Sequence, residues 1–177
     1  LRDFGENRVQ DALEKFGSLP EEIKANSRFH LIGHLQSNKV KKAVGNFDYI
    51  HSIDSLKLAK SVSEHAIEKG IVQKILLQVN NANEEAKSGF CVEDLKRDFK
   101  EIVSLKGIEV AGLMNIAPIA PEQELRRLFK GMRELKLELE EAFSYPLKEL
   151  SMGMSGDYKI ALEYGATMIR IGRKLFT

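Results

Sequence analysis

Cysteine is almost absent from this chain: Cys91 stands alone among 177 residues. A lone thiol rules out an intrachain disulfide, so a reducing, cytoplasmic compartment is expected. Cys91 lies in Gly89-Phe90-Cys91-Val92, just ahead of a helical stretch. A catalytic thiol needs a neighbouring base. None is adjacent, and Cys91 is expected simply to pack. Long apolar runs are missing too. No window approaches the ~18 apolar residues of a membrane helix, and Leu1-Arg2-Asp3-Phe4 lacks the apolar run of a signal peptide. Nor is there an excess of charge of either sign. The 27 basic and 26 acidic side chains leave a formal net charge of +1. That balance gives no footprint for nucleic acid or an anionic membrane. The histidines are His30, His34, His51 and His65. They lack metal-ligand spacing, so no metal is expected. No GxSxG, P-loop or GxGxxG occurs.

What is present is ordinary in amount and regular in order. Hydrophobic residues make up 43% and charged residues 30%, enough for one domain over residues 1–177 with a sizeable core. Short apolar runs alternate with helical patterns. Strands are expected at Phe4–Asn7, Phe29–Gly33, Tyr49–Ile53, Lys74–Asn80, Glu109–Ile116, Leu147–Gly153 and Met168–Gly172. Helical patterns cover Ser37–Val44, the stretch from Leu56 to Gly70, Val92–Leu105, Glu122–Phe143 and Asp157–Tyr164. Asp54 or Ser55 can cap the second of these. Strands alternating with helices imply βαβ units and a parallel sheet. The spacing suits a (β/α)8 TIM-type barrel better than a doubly wound sheet. Such a barrel needs eight strands and about 250 residues. The expectation is therefore an α/β barrel lacking its first βα unit in this chain.

In these barrels ligands sit at the C-terminal ends of the strands. The last two strands carry the strongest signal. Ser151-Met152-Gly153-Met154-Ser155-Gly156-Asp157 leads into a helix, and Met168-Ile169-Arg170-Ile171-Gly172 follows it. Barrels of this kind often hold a phosphate there, on backbone N–H groups and a helix start. Ser151 and Ser155 offer hydroxyls, the backbone after Gly153 and Gly172 offers N–H groups, and Arg170 offers a fixed charge. A bare turn capped by Ser155 or Asp157 is the alternative. A glycine-and-serine motif and a glycine-and-arginine motif on adjacent strands favour phosphate. His30 and His51 read as core or wall residues, and His34 follows Gly33 at a strand end. Lys87, in the loop after a strand, reads equally as a solvated cation or as a group over the barrel mouth.

Six motifs in order carry a resemblance. Phe4-Gly5-Glu6-Asn7-Arg8-Val9-Gln10 and His30-Leu31-Ile32-Gly33-His34-Leu35-Gln36-Ser37-Asn38-Lys39 come first. Lys87-Ser88-Gly89, Gly112-Leu113-Met114, Leu150 to Ser155 and Ile169 to Gly172 follow. Together they resemble the YggS/PROSC type, the pyridoxal phosphate homeostasis family, over essentially the whole chain. The resemblance implies an alanine-racemase-like barrel that binds pyridoxal 5'-phosphate without catalysis, with pyridoxal-phosphate enzymes as possible recipients. It implies phosphate contacts at Ser151, Gly153, Met154, Ser155, Arg170 and Gly172, with Asn7 on the cofactor side and Lys87 near the mouth. The family's Schiff-base lysine lies upstream of Phe4-Gly5-Glu6-Asn7, and so is expected outside this chain.

Two enzymatic readings compete. An amino-acid racemase on the same barrel needs two bases flanking the substrate α-carbon. Tyr158 and Tyr164 lie on the wrong helix for that. A phosphosugar enzyme needs carboxylates at strand ends, where Glu6 is the candidate. No catalytic residue is therefore expected.

Overall fold

Seven of the apolar runs form strands, and all pair in parallel in sequence order. The structure is a computed structural model that describes residues 1–82 and 88–175. The strands are β1 (Asp3–Glu6), β2 (Arg28–Leu31), β3 (Tyr49–Ile53), β4 (Gln73–Gln78), β5 (Ile108–Met114), β6 (Glu149–Met154) and β7 (Met168–Arg170). Helices α1 (Val9–Ser18) and α2 (Glu21–Ala25) connect β1 to β2, and α3 (Val40–Ala43) connects β2 to β3. The later crossovers are α4 (Leu56–Glu68), α5 (Val92–Ser104), α6 (Glu122–Phe143) and α7 (Tyr158–Glu163).

The sheet is rolled. In a flat sheet β3 and β6 would lie about 14 Å apart, three strand spacings. Yet His51 Nδ1 on β3 and Ser151 Oγ on β6 are 2.9 Å apart. The result is a nearly closed partial barrel, with β1 and β7 as its two edges. Alternate strand residues face opposite sides, which produces two cores. Tyr49, Leu76, Ala111 and Met114 pack inside the roll with Met168 against them. Ile50, Ile75, Leu77, Leu113 and Leu150 face outward onto the helices.

Helical spacing supplies the matching surfaces. In α4 the buried residues are Leu58, Ala59, Val62, Ser63 and Ala66. Of the two candidate caps, Ser55 performs the role: its hydroxyl accepts from the Leu58 N–H at 3.2 Å. In α5 the fully buried Phe99 meets Phe143 at 5.1 Å and Tyr145 at 6.1 Å between ring centroids. Burying a ring of that size contributes about 2–3 kcal/mol.

The elements differ from the sequence reading mainly at their ends. The helix expected over Ser37–Val44 is a 3₁₀ turn at Ser37–Lys39 followed by four α-helical residues. Strand β4 starts one residue early and stops at Gln78; Val79 makes only an isolated bridge to Phe90. Strand β6 runs Glu149–Met154 rather than Leu147–Gly153, and β7 ends at Arg170 rather than Gly172.

Candidate functional site at the β6 and β7 strand ends

Gly153 is the reason β6 can turn where it does. Its φ is +92°, and a Cβ there would lie 2.9 Å from Tyr158 Cα and 2.7 Å from Ala161 Cβ. Only glycine meets both demands without strain. The chain therefore folds back tightly onto α7. Asp157 reinforces the turn: its Oδ1 accepts from the Met154 N–H at 2.5 Å. Asp157 makes no side-chain hydrogen bond as a helix cap, so the capping expected of it, or of Ser155, is replaced by this bracing role.

Above the turn, Ser155 is half-buried and its hydroxyl accepts from the Gly172 N–H at 3.4 Å. That long contact ties the β6 turn to the β7 turn. The backbone N–H groups of Ser155 and Gly156 donate to nothing among the described residues. The arrangement thus offers a hydroxyl and unengaged N–H groups. Its one carboxylate, Asp157, is turned to the chain's own backbone. Such a donor set suits an anion with several acceptor oxygens.

Ser151 and Arg170 lie deeper than the sequence reading places them. Ser151 is fully buried inside the roll. Arg170 Nη1 donates to Ser151 Oγ at 2.7 Å, and its Nη2 donates to the Asn115 carbonyl at 2.6 Å. Burial pushes the guanidinium down to about 10, against a weaker pull from Asp157. It stays charged at neutral pH. The hydrogen bonds continue across the interior. His51 Nδ1 is 2.9 Å from Ser151 Oγ, and its Nε2 is 2.9 Å from His30 Nδ1. His30 Nε2 is 3.0 Å from Asp3 Oδ1. Burial is the largest effect on both rings and holds each below the usual imidazole range. It is opposed at His30 by Asp3, and reinforced at His51 by His30 and Arg170.

The remaining expected residues are scattered. Asn7 is exposed just past β1. Its carbonyl oxygen would be 2.1 Å from a Cβ on Gly33, so that glycine lets the ends of β1 and β2 touch. No hydrogen bond links Asn7 to the β6 or β7 turns among the described residues. Lys87 lies outside the described residues. His34 lines a cleft of about 240 Å³ at the mouth with Ile32, Gln78, Asn80 and Ser88, and its Nδ1 is 3.5 Å from Asp54 Oδ2. A cleft of about 290 Å³ opens at the opposite end, lined by Arg28, Tyr49, Gln73 and Lys74. That end of a barrel serves stability rather than ligand chemistry. Glu6 pairs with Lys15 at 2.8 Å. Cys91 Sγ accepts from the Asp94 N–H at 3.4 Å, capping α5. No metal-binding cluster occurs among the described residues, and no described helix is long and apolar enough to cross a membrane.

Sequence reasoning missed Asp3 and the linking of the two histidines. His30 and His51 are buried and hydrogen-bonded, as wall residues should be. The available signal was their phase: each alternates with residues facing the outer core, so each faces inward.

Comparison with known proteins agrees with the fold. The family model for the alanine racemase N-terminal domain matches residues 1–177. A pyridoxal phosphate homeostasis protein of Aquifex aeolicus is 41% identical over 177 residues, covering 99% of this chain and 76% of that protein. The protein of the same name from Synechocystis is 43% identical, covering 99% and 80%. Among solved structures, PipY of Synechococcus elongatus, determined with PLP bound, superposes with a TM-score of 0.90 at 40% identity, over 100% of this chain and 82% of PipY. An alanine racemase of Clostridium difficile gives a TM-score of 0.77 at 14% identity, over 97% of this chain and 44% of the racemase; it shares the fold alone.

Proposed function

Because the chain belongs to the pyridoxal phosphate homeostasis proteins, within the alanine racemase N-terminal domain family, we propose that it binds pyridoxal 5'-phosphate as a carrier and takes part in vitamin B6 homeostasis. One observation carries the reading beyond kinship. The β6 and β7 turns meet at Ser155 and Gly172, 3.4 Å apart, beside unengaged N–H groups. A phosphate monoester brings the acceptor oxygens that these donors lack. The cofactor, when bound, supplies an aldehyde and an electron-withdrawing ring. This chain's residues hold and orient it: Gly153, Met154, Ser155 and Gly172 at the phosphate, with the Arg170 charge beneath.

The role we assign is non-catalytic and cytoplasmic, with pyridoxal-phosphate enzymes as recipients. A racemase needs two bases aimed at one carbon. Glu6 is neutralised by Lys15, and Tyr158 stacks under the Lys174 ammonium, 5.1 Å from its ring centre. Neither contact brings in a second base aimed at the same carbon. Incubation with alanine or serine in deuterium oxide should leave the α-proton in place; its stereospecific loss would establish the enzyme instead. The binding claim is tested by titrating the protein with pyridoxal 5'-phosphate and with pyridoxal. The phosphorylated form should bind at least tenfold tighter, the equivalent of about 1.4 kcal/mol, and equal affinities would overturn the reading.

A further inference from the structure

The line of hydrogen bonds through the barrel interior has a direction. Arg170 is donor-only, because a guanidinium has no acceptor. It gives one N–H to Ser151 Oγ at 2.7 Å. At the other end Asp3 is acceptor-only: Arg28 first and then His30 hold its carboxyl below the usual range, against burial. Two neutral imidazoles lie between, and each must donate once and accept once along the line. Only one assignment serves every contact. The Ser151 hydroxyl donates to His51 Nδ1, His51 Nε2–H donates to His30 Nδ1, and His30 Nε2–H donates to Asp3 Oδ1. Reversing the histidines would set a bare His30 Nε2 against the Asp3 carboxylate, lone pair against lone pair.

We propose that Ser151 is a positioning residue for Arg170 rather than a phosphate ligand, held in that role by His51, His30 and Asp3 through a hydrogen-bond line of fixed polarity. Resting on the cofactor-binding reading above, this proposal divides its two serines. The Ser151 proton is committed to His51 and its oxygen to Arg170, so it has nothing to give a phosphate. Ser155 keeps its proton, because at Gly172 it is the acceptor. The line also isolates Arg170 as the one positive group in the interior among the described residues. A proton added at His51 Nδ1 would reverse its contact with Ser151 and set an imidazolium one hydroxyl away from the Arg170 guanidinium. The groups facing His30 are Asp3 on β1, Arg28 on its own strand, Asp48 before β3, and Tyr49 and His51 on β3. Those facing His51 are His30, Tyr49, Ser151 and Arg170. Among the described residues Asp3 is the one acid hydrogen-bonded to the line, and it lies at the far end from Arg170.

The test begins with the wild-type protein and no cofactor. Nitrogen-15 NMR of the histidine rings should show His30 and His51 both as the neutral Nε2–H tautomer at pH 7. An Nδ1–H tautomer or a cation at either ring would overturn the polarity. A second arm uses Ser151→Ala, Ser155→Ala, His51→Leu and His51→Asn, each titrated with pyridoxal 5'-phosphate and pyridoxal. Ser151→Ala and His51→Leu should weaken pyridoxal 5'-phosphate to the same extent as each other, roughly tenfold, with His51→Asn recovering most of the loss because its amide oxygen can accept the Ser151 proton. Ser155→Ala should weaken only the phosphorylated one. A Ser151→Ala loss that His51→Leu does not share would make Ser151 a phosphate ligand and sink the proposal. If neither ligand binds wild type, the cofactor reading fails, while the ring tautomers still judge the line.

Discussion

Arg170 Nη2 reaches the main-chain carbonyl of Asn115 at 2.6 Å, so the last strand is anchored to the end of β5, two strands away. Strand β7 is only three residues long, and its pairing with β6 is irregular between Ser151 and Met154. A short edge strand of that kind needs side-chain support. Arg170 provides it from inside the barrel, where its bonds compete with little water.

Replacing that guanidinium should therefore cost stability as well as ligand. Arg170→Lys keeps the charge but loses the planar fork that serves Ser151 and Asn115 together. A loss of about 1.5–3 kcal/mol is expected, the range for a hydrogen bond to a charged group. Urea unfolding reads it directly. A variant as stable as wild type would mean that β7 is held by backbone pairing alone.

Ser155→Ala removes the one hydroxyl that joins the two turns. The apo fold should barely change, since the contact to Gly172 is long and partly exposed. Binding of pyridoxal 5'-phosphate should weaken by about 1–3 kcal/mol, the range for a charge-assisted bond, and binding of pyridoxal should not move. Equal losses for the two ligands would place the hydroxyl's effect elsewhere than at the phosphate.

The barrel class was legible because parallel strands buried on both faces read as apolar runs such as Ile75-Leu76-Leu77, and helical faces as spaced leucines such as Leu125, Leu128 and Leu135. Boundaries were less legible. The 3₁₀ turn at Ser37–Lys39 and the early end of β4 at Gln78 depend on tertiary pairing, to which a local pattern is blind. The turn chemistry was visible as glycine and serine at two strand ends. The depth of Ser151 and Arg170 was not. It follows from how tightly the sheet rolls, which brings β3 against β6, residues a hundred positions apart.

Gly153→Ala tests the turn itself. The new methyl would meet Tyr158 Cα and Ala161 Cβ below 3 Å, at a φ that alanine rarely adopts. Strain at such a site costs on the order of 1–3 kcal/mol. The thermal midpoint should fall, and phosphate selectivity with it, because α7 and Ser155 are displaced together. An unchanged midpoint would show that the turn has room the structure does not contain.

The buried histidines set a pH dependence of definite sign. His30 and His51 both have folded-state values depressed below 6.5. Between about 6.5, where an unfolded imidazole titrates, and those lower values, the unfolded chain binds more protons. Stability must then fall as pH falls. The urea midpoint should drop between pH 7 and pH 5, and His51→Asn should flatten the slope. Asp3 acts in a lower window: its depressed carboxyl contributes above about 3.9 and is lost on further acidification. A midpoint rising on acidification from pH 7 to pH 5 would contradict the burial of both rings.

The edges of the roll should be its least protected parts. Strands β4 and β5 pair over six residues of β4 and are flanked on both sides, whereas β1 and β7 each pair on one side only. Unpaired strand edges open to water readily, and local opening follows from few buried contacts. Phe4 and Ile169 on these edges are 38% and 37% exposed, against none for Ile75 and Leu113 in the centre. Amide hydrogen exchange of this chain should therefore be slowest in β4 and β5 and fastest at β1 and β7. Within β7, Arg170 should exchange more slowly than Met168, because its side chain is pinned to Ser151 and Asn115. The Arg170→Lys variant should erase that difference. If β1 and β7 are protected as strongly as β4, the two edges are covered, and the order of the strands does not describe how this chain closes.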